Sequence, residues 1–263
     1  MSADRLVMYE AGGGVACIVL NDPPANAYTH AMMKQLDSAI LRARFDHKVH
    51  VILITGQGEK MFCAGANIDA LRRMEPDEKD NFCLHANETL NRLEQTPKLV
   101  IAALNGHTVG GGLEVALAAD LRVARDGPGK VGLPEVRLGV LPGTGGTQRL
   151  ARLVGKGRAL EMMVTGRLLS FREAVSIGLI HQILPGDGFT AQAREFALAF
   201  TPPRAAPLAA GFIKRAVQSG AEMSFAEGLA LERELQSRLF RTADAQEGLA
   251  ANRDRREPHF SGR

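Results

Sequence analysis

The amino-acid sequence predicts an α/β fold built from strand–helix–strand crossovers and closed by a helical segment, and three observations carry that reading. Short apolar runs, interrupted only by His50, Thr55 and Lys98, occur at residues 15–20, 49–55 and 98–104, each the length of a strand buried on both faces. Between them lie stretches with the apolar spacing of helices, so successive strands are joined by crossovers rather than by tight hairpins. Beyond Thr201-Pro202-Pro203 only helical patterns remain, which divides the chain into a core of residues 1–200 and a helical segment of residues 201–263.

Composition bounds the possibilities. A chain of 263 residues supplies one large domain, or a domain with an appendage. Hydrophobic content of 45% with 23% charged residues describes an ordinary globular protein rather than a disordered one. The formal charge is +3 and the basic residues are dispersed except near the C-terminus, so nucleic acid is not an expected partner. Cys17, Cys63 and Cys83 form no CxxC and no metal-ligand spacing. No metal site is expected, and the sparse, odd set points to reduced thiols in the cytoplasm. The stretch MSADRLVMYEAGGG lacks a basic-then-apolar leader pattern, and no apolar run approaches membrane length. The expectation is a cytoplasmic protein without membrane association.

The elements follow in order. The first strand ends in the turn Asn21-Asp22-Pro23-Pro24. Thr29 is placed to cap a helix carrying Met32, Met33, Leu36, Ile40 and Ala43 on one stripe. Residues 49–55 form the next strand. Residues 60–68 (KMFCAGANI) set small side chains between apolar ones, which reads as a strand end, a tight turn and a capping Asn67. Residues 77–94 carry Phe82, Ala86, Leu90 and Leu93 on one helical face, with His85 beside it. The strand at 98–104 delivers the chain to Asn105-Gly106 and then to Gly110-Gly111-Gly112, after which Glu114 opens the helical run LEVALAAD. Short strands at 120–124 and 131–133 bracket a surface turn. Glu135 follows Leu133-Pro134 and precedes a glycine-rich loop feeding a helix at Thr147. Gly155-Lys156-Gly157 separates two helices, Ser170 caps a third that ends at Gly178, and residues 180–184 form the last strand. Leu231, Leu235 and Leu239 share one face of a late helix.

Two carboxylates therefore stand beside unusual backbone. Singly, each has an ordinary explanation: a Glu in the first turn of a helix complements its dipole, and a Glu after Pro is solvated. Together with their surroundings they say more. The stretches NGHTVGGGLEVALAADLRVA and GLPEVRLGVLPGTGGTQRLARLVG closely resemble the enoyl-CoA hydratase (crotonase) family. The segment FCAGAN is similar to a second family signature, with Asn67 where the family usually carries Asp. The resemblance spans residues 15–260.

This resemblance implies a crotonase-like spiral of β-β-α units, with the C-terminal helices packed in a homotrimer or a dimer of trimers. It implies an enoyl-CoA hydratase acting on an acyl-CoA thioester, with a place in fatty-acid β-oxidation. By the same resemblance the backbone N–H groups of Ala66 and Gly111 form an oxyanion hole for the thioester oxygen. Glu114 then holds and activates the water that adds to C3, Glu135 exchanges the proton at C2, and the Gly143 backbone helps to position that water. CoA is expected to lie along Pro24, Ala25, Lys60, Ala64, Ala66, Asn67 and Ile68, with Arg255 reaching its 3′-phosphate on a neighbouring subunit. No metal or redox cofactor is needed for such chemistry, since CoA is part of the substrate. Small residues at the donors are read as leaving room for the thioester. Met32, Met33, Phe82, His85 and Leu138 are expected to wall the acyl pocket.

Other readings remain within and beyond the family. One acid/base carboxylate suffices for double-bond isomerisation, and other members hydrolyse, dehalogenate or decarboxylate acyl-CoAs. Some family hydratases bind RNA through a lysine-rich surface. Here Lys34, Arg42, Arg44 and Lys48 alternate with Asp37 and Asp46, which does not support that role.

Overall fold

The computed structural model of the protein describes residues 5–263; the first four residues of the MSADRLVMYEAGGG stretch lie outside it. β1 (Val7–Gly12) pairs antiparallel with β2 (Val15–Leu20), and α1 (His30–Phe45) then crosses to β3 (Val51–Gly56), which lies parallel to β2. β4 (Met61–Cys63) starts a second sheet and is followed by α2 (Ile68–Arg73) and α3 (Pro76–Glu94). The pattern then repeats. β5 (Leu99–Leu104) returns to the first sheet beside β3, β6 (His107–Val109) joins the second beside β4, and α4 (Gly111–Leu117) follows. A third repeat gives β7 (Leu121–Arg125), β8 (Lys130–Gly132), a 3-10 turn at Glu135–Leu138, then α5 (Gly146–Val154) and α6 (Lys156–Thr165). β9 (Leu169–Ser170) closes the second sheet antiparallel to β8. After α7 (Phe171–Ser176), β10 (Gln182–Leu184) closes the first sheet parallel to β7. The remainder is α8 (Phe189–Leu198), α9 (Pro207–Gly220), α10 (Phe225–Leu239) and α11 (Ala243–Asp254). Each repeat contributes one strand to the six-stranded sheet, one to the four-stranded sheet and then a helix, which is the expected spiral of β-β-α units.

The larger sheet is covered on both faces, and this explains its continuous apolar strands. In β3, Ile52 and Ile54 join a core with Ala102, Leu104, Leu36 of α1 and Leu90 of α3. Val51 and Leu53, pointing the other way, pack with Ile101, Ala103 and the Phe189, Ala193 and Ala197 stripe of α8. The caps at Thr29 and Ser170 form as expected, the latter as a full capping box with Glu173.

Several expectations are corrected. β1 is an edge strand without a continuous apolar run, and a hairpin joins it to β2 through Gly13 and Gly14, both at positive φ. β6 is three residues long and α8 carries its apolar stripe within a mixed segment, so neither stood out in the sequence. In α10 only Leu235 of the leucine stripe is fully buried. Among the described residues no helix is long and apolar enough to cross a membrane.

The helical segment is joined to the core by a buried ion pair. Lys214 of α9 lies 2.9 Å from Asp120, which precedes β7, with side-chain exposures of 5% and 11%. Lys214 also donates to the Lys98 carbonyl, and Asp120 accepts from the Val100 N–H and from Gln218. Every partner of this charge pair is therefore supplied by the junction of α9 with the sheet.

Candidate active site

The second sheet brings three loops together. β4, β6 and β8 run parallel, so their C-terminal ends discharge side by side. From β4 comes Ala64-Gly65-Ala66-Asn67, from β6 Gly110-Gly111-Gly112, and from β8 Leu133-Pro134-Glu135. Residues separated by about seventy positions in sequence thus converge through the pairing of three short strands.

Glycine is required here by close approach of the protein to itself. A methyl group at Gly111 would fall 2.0 Å from the Tyr28 hydroxyl oxygen, and one at Gly112 would fall 2.0 Å from the Cys63 carbonyl oxygen. One at Gly65, where φ is +93°, would come within 2.7 Å of the Gly111 nitrogen. The sequence reading assigned the small residues to thioester access; packing of α4 against β4 and Tyr28 already demands them.

The two candidate donors meet in this packing. Ala66 forms an isolated parallel bridge with Tyr28, in which the Tyr28 N–H donates to the Gly65 carbonyl and the Asn67 N–H donates to the Tyr28 carbonyl. The Ala66 N–H therefore faces away from Tyr28. Gly111 is the first residue of α4, so its N–H has no acceptor within the helix.

Glu114 sits in the fourth position of α4 rather than opening it, and is 2% exposed. Its Oε1 accepts from the N–H groups of Thr144, at 2.8 Å, and Gly146, at 2.7 Å. Its Oε2 accepts from the Thr144 hydroxyl in a short hydrogen bond. A buried carboxylate is tolerated because donors surround it. Gly146, not Thr147, begins α5, and a methyl group there would come within 2.9 Å of Glu114 Oε1.

Glu135 is different. It opens the 3-10 turn and is half-buried, not solvated as a Glu after Pro would ordinarily be. Its Oε2 is buried without a hydrogen-bond partner, and its Oε1 lies 3.3 Å from where a Gly110 side chain would start. Burial pushes its pKa from 4.5 to about 7, and the Glu114 charge adds to the rise, against an opposing hydrogen bond from its own backbone. The structure thus places two carboxylates together with one held by donors and one inclined to keep its proton.

Other expected residues fall in two groups. Ala25 accepts from the Ala64 N–H at 3.0 Å, so Pro24 and Ala25 lie beside the loop at 64–68. Asn67 caps α2 by accepting from the Ala70 N–H at 2.9 Å, a task a neutral side chain performs as well as Asp. Ile68, after the loop, and Lys60, just before β4, are both exposed, and Gly143 adjoins Thr144 with its carbonyl accepting from Asn87. Arg255 is not among them within one chain. It ends α11 in the left-handed region, and the tail beyond it docks at Pro203 and beside His50, where β3 begins. Of the expected pocket walls, Met32, Met33 and Phe82 belong to the hydrophobic core, while Leu138 is 61% exposed. His85 stacks edge-on to His30, their ring centres 5.2 Å apart. Tyr28, Thr144 and Gly146 were not anticipated. Thr144 lies inside the glycine-rich loop that was, whereas nothing in the sequence distinguishes Tyr28 from an ordinary core aromatic.

A family model described as enoyl-CoA hydratase/isomerase matches residues 10–263. The chain belongs to this family. Among enoyl-CoA hydratase/isomerase relatives, the short-chain-enoyl-CoA hydratase of Clostridium acetobutylicum is 36% identical over 95% of this chain and 95% of its own. The mitochondrial methylglutaconyl-CoA hydratase of Homo sapiens is 35% identical over 90% of this chain and 70% of its own. Solved structures agree. An enoyl-CoA hydratase of Geobacillus kaustophilus superposes with a TM-score of 0.95 at 43% identity, covering 100% of this chain and 98% of that one. One from Bacillus anthracis gives 0.91 at 34% identity, covering 98% and 100%.

Proposed function

We propose that the protein is an enoyl-CoA hydratase, adding water reversibly across the C2–C3 double bond of a trans-2-enoyl-CoA to give a 3-hydroxyacyl-CoA. The observation that carries this reading is the pair of unlike carboxylates at the ends of β6 and β8. Glu114, surrounded by donors, retains a free acceptor position for a water hydrogen; Glu135, with its pKa near 7, is suited to carry a proton at neutral pH. Water oxygen bonds to C3 as the π electrons move to the thioester oxygen. The N–H groups of Ala66 and Gly111 stabilise that oxygen, an effect worth a few kcal/mol per donor. Glu114 takes the water proton, Glu135 delivers its proton to C2, and exchange with the next water resets the pair. Gly143 contributes its backbone to the water. CoA lies along Pro24, Ala25, Lys60, Ala64, Ala66, Asn67 and Ile68. No cofactor is needed.

The assembly proposed is a trimer or a dimer of trimers, in which Arg255 reaches a neighbouring subunit's CoA. Exposed apolar side chains on the helical segment, among them Phe225 at 81% and Val217 at 65%, support it. The reaction is tested in oxygen-18 water with a trans-2-enoyl-CoA. Loss of the conjugated thioester absorbance with label in the product is expected. Double-bond migration without label would make the protein an isomerase instead.

A further inference from the structure

The donors that bind Glu114 come from residues 144–146, and this stretch is itself held by α3 and α5. The Thr144 N–H, 2.8 Å from Glu114 Oε1, shares a peptide unit with the Gly143 carbonyl, which accepts from Asn87 Nδ2 at 2.9 Å. A trans peptide is planar, with its C=O and N–H pointing opposite ways, so a bond at one end fixes the direction of the other. The next carbonyl, that of Thr144, accepts from Arg149 Nη1 at 3.2 Å. The third, that of Gly145, accepts from the Gln148 and Arg149 N–H groups of α5, and its peptide unit carries the Gly146 N–H that reaches Glu114 Oε1. Arg149 is seated by the same face of α3. Its Nε and Nη2 donate to Glu94 Oε2 at 3.1 and 2.8 Å, and Nη2 donates to Asn91 Oδ1 at 2.6 Å. The side chain is 11% exposed, and a methyl group at Gly145 would fall 2.1 Å from Nη1. Asn87, Asn91 and Glu94 stand at helical spacing, a polar stripe beside the buried stripe of Phe82, Ala86, Leu90 and Leu93.

We propose that Asn87 and Arg149 are positioning residues of the active site: they clamp the Gly143 and Thr144 carbonyls so that the donors of Thr144 and Gly146 hold Glu114 in one orientation. This rests on the reading of Glu114 as the water-holding group. A carboxylate offers about four lone-pair positions. Three are taken here, by the Thr144 N–H, the Gly146 N–H and the Thr144 hydroxyl. The remaining one, on Oε2, sets the direction from which water is held, and orientation of a reacting group is a large part of a catalytic rate. A loop with glycine on both sides of Thr144 has little stiffness of its own, so the peptide planes stay fixed through what holds their carbonyls. Asn87 suits the task because a side-chain amide supplies N–H donors without adding a charge beside Glu114. Bonds in line also polarise one another, so the Asn87 bond strengthens the Thr144 N–H as a donor. Arg149 suits its own because a planar fork of donors binds the Thr144 carbonyl and the two α3 acceptors at once.

The test compares Asn87→Leu, Asn87→Asp, Arg149→Met, Arg149→Lys, Glu114→Gln and the Asn87→Leu/Glu114→Gln double variant, each checked for folding by thermal melting. Steady-state kinetics with a trans-2-enoyl-CoA give the readout. Asn87→Leu is expected to lose about 3- to 10-fold in kcat with KM within about twofold, as fits one neutral hydrogen bond that orients a catalytic group. Asn87→Asp keeps the shape without the donor and is expected to lose at least as much. Arg149→Met removes charge-assisted bonds and is expected to lose roughly 10- to 100-fold, part of which Arg149→Lys recovers through a single donor. The decisive comparison is the double variant. If Asn87 acts through Glu114, its loss costs less than about twofold once Glu114 is Gln, whereas a merely structural role would give the same loss in both backgrounds. Wild-type kcat in Asn87→Leu or Arg149→Met, or multiplicative losses in the double variant, would overturn the proposal. Should Asn87→Leu not fold, Asn87→Asp takes its place alone and in the Glu114→Gln background; should Arg149→Met not fold, Arg149→Lys at wild-type kcat would count against the proposal. If Glu114→Gln turns over normally, the underlying assignment of Glu114 fails; if it is slow while the Asn87 and Arg149 variants are not, only the present proposal does.

Discussion

At the scale of single residues, Glu114 and Glu135 differ through what touches them. One receives three hydrogen bonds; the other has a buried oxygen with none. Glu114→Gln and Glu135→Gln keep size but lose the titratable oxygen. Each should lower kcat by roughly 10²- to 10⁴-fold with a smaller effect on binding, as measured by steady-state kinetics. Because both act on one water, the double variant should lose less than the product of the single losses. The pH dependence follows from Glu135. Its raised pKa means that the proton needed for hydration is present below about 7 and is lost as pH rises through that value. The hydration kcat/KM should therefore fall above about pH 7, and dehydration kcat/KM should fall in parallel, because the reaction takes up no net proton and the two are tied by one pH-independent equilibrium constant. Stability has the same sign. The folded state holds this proton more tightly than an unfolded chain with the ordinary value of 4.5. The Glu135 contribution thus declines as pH rises from 4.5 through about 7, and Glu135→Gln should remove that part of the decline in urea titrations.

Among the elements, the small sheet matters most to the site because β4, β6 and β8 place its three loops side by side. The larger sheet is bound to the helical segment through Lys214 and Asp120. Lys214→Met would leave Asp120 buried and without its cation, at a cost of about 3–5 kcal/mol. Denaturant unfolding should show that loss, whereas Asp120→Asn with Lys214→Met should recover part of it, since no uncompensated charge remains. An unchanged midpoint in Lys214→Met would mean that Asp120 is neutral in the folded protein.

For the whole molecule, the unburied side chains are as informative as the core. Ile213, Val217, Phe225 and Leu249 on α9, α10 and α11, and Phe240 at the end of α10, are all exposed. An apolar surface of this kind is expected at a contact between copies. Light scattering at micromolar concentration should give three or six times the mass of one chain. Phe225→Asp should shift the population toward smaller species, and a wild-type monomer would remove both the assembly and the role proposed for Arg255.

The amino-acid sequence by itself determined the class of fold, because strands buried on both faces must be apolar throughout and the crossover helices must carry a stripe. Through its resemblance to the family it also marked Glu114, Glu135, Ala66 and Gly111 as candidates, since the motifs that carry the resemblance are local in the chain. Helix caps at Thr29, Asn67 and Ser170 were legible for the same reason. Tertiary structure alone decided what depends on contacts between distant segments. The β1 hairpin and β6 are too short or too mixed to carry a periodic signal, and they exist through pairing with their neighbours. The separation of the two carboxylates into a donor-bound group and a proton-retaining one came from Thr144, Gly146 and the burial of Glu135. Tyr28 was invisible for the plainest physical reason: its hydroxyl meets Gly111 only after α4 has packed against β4.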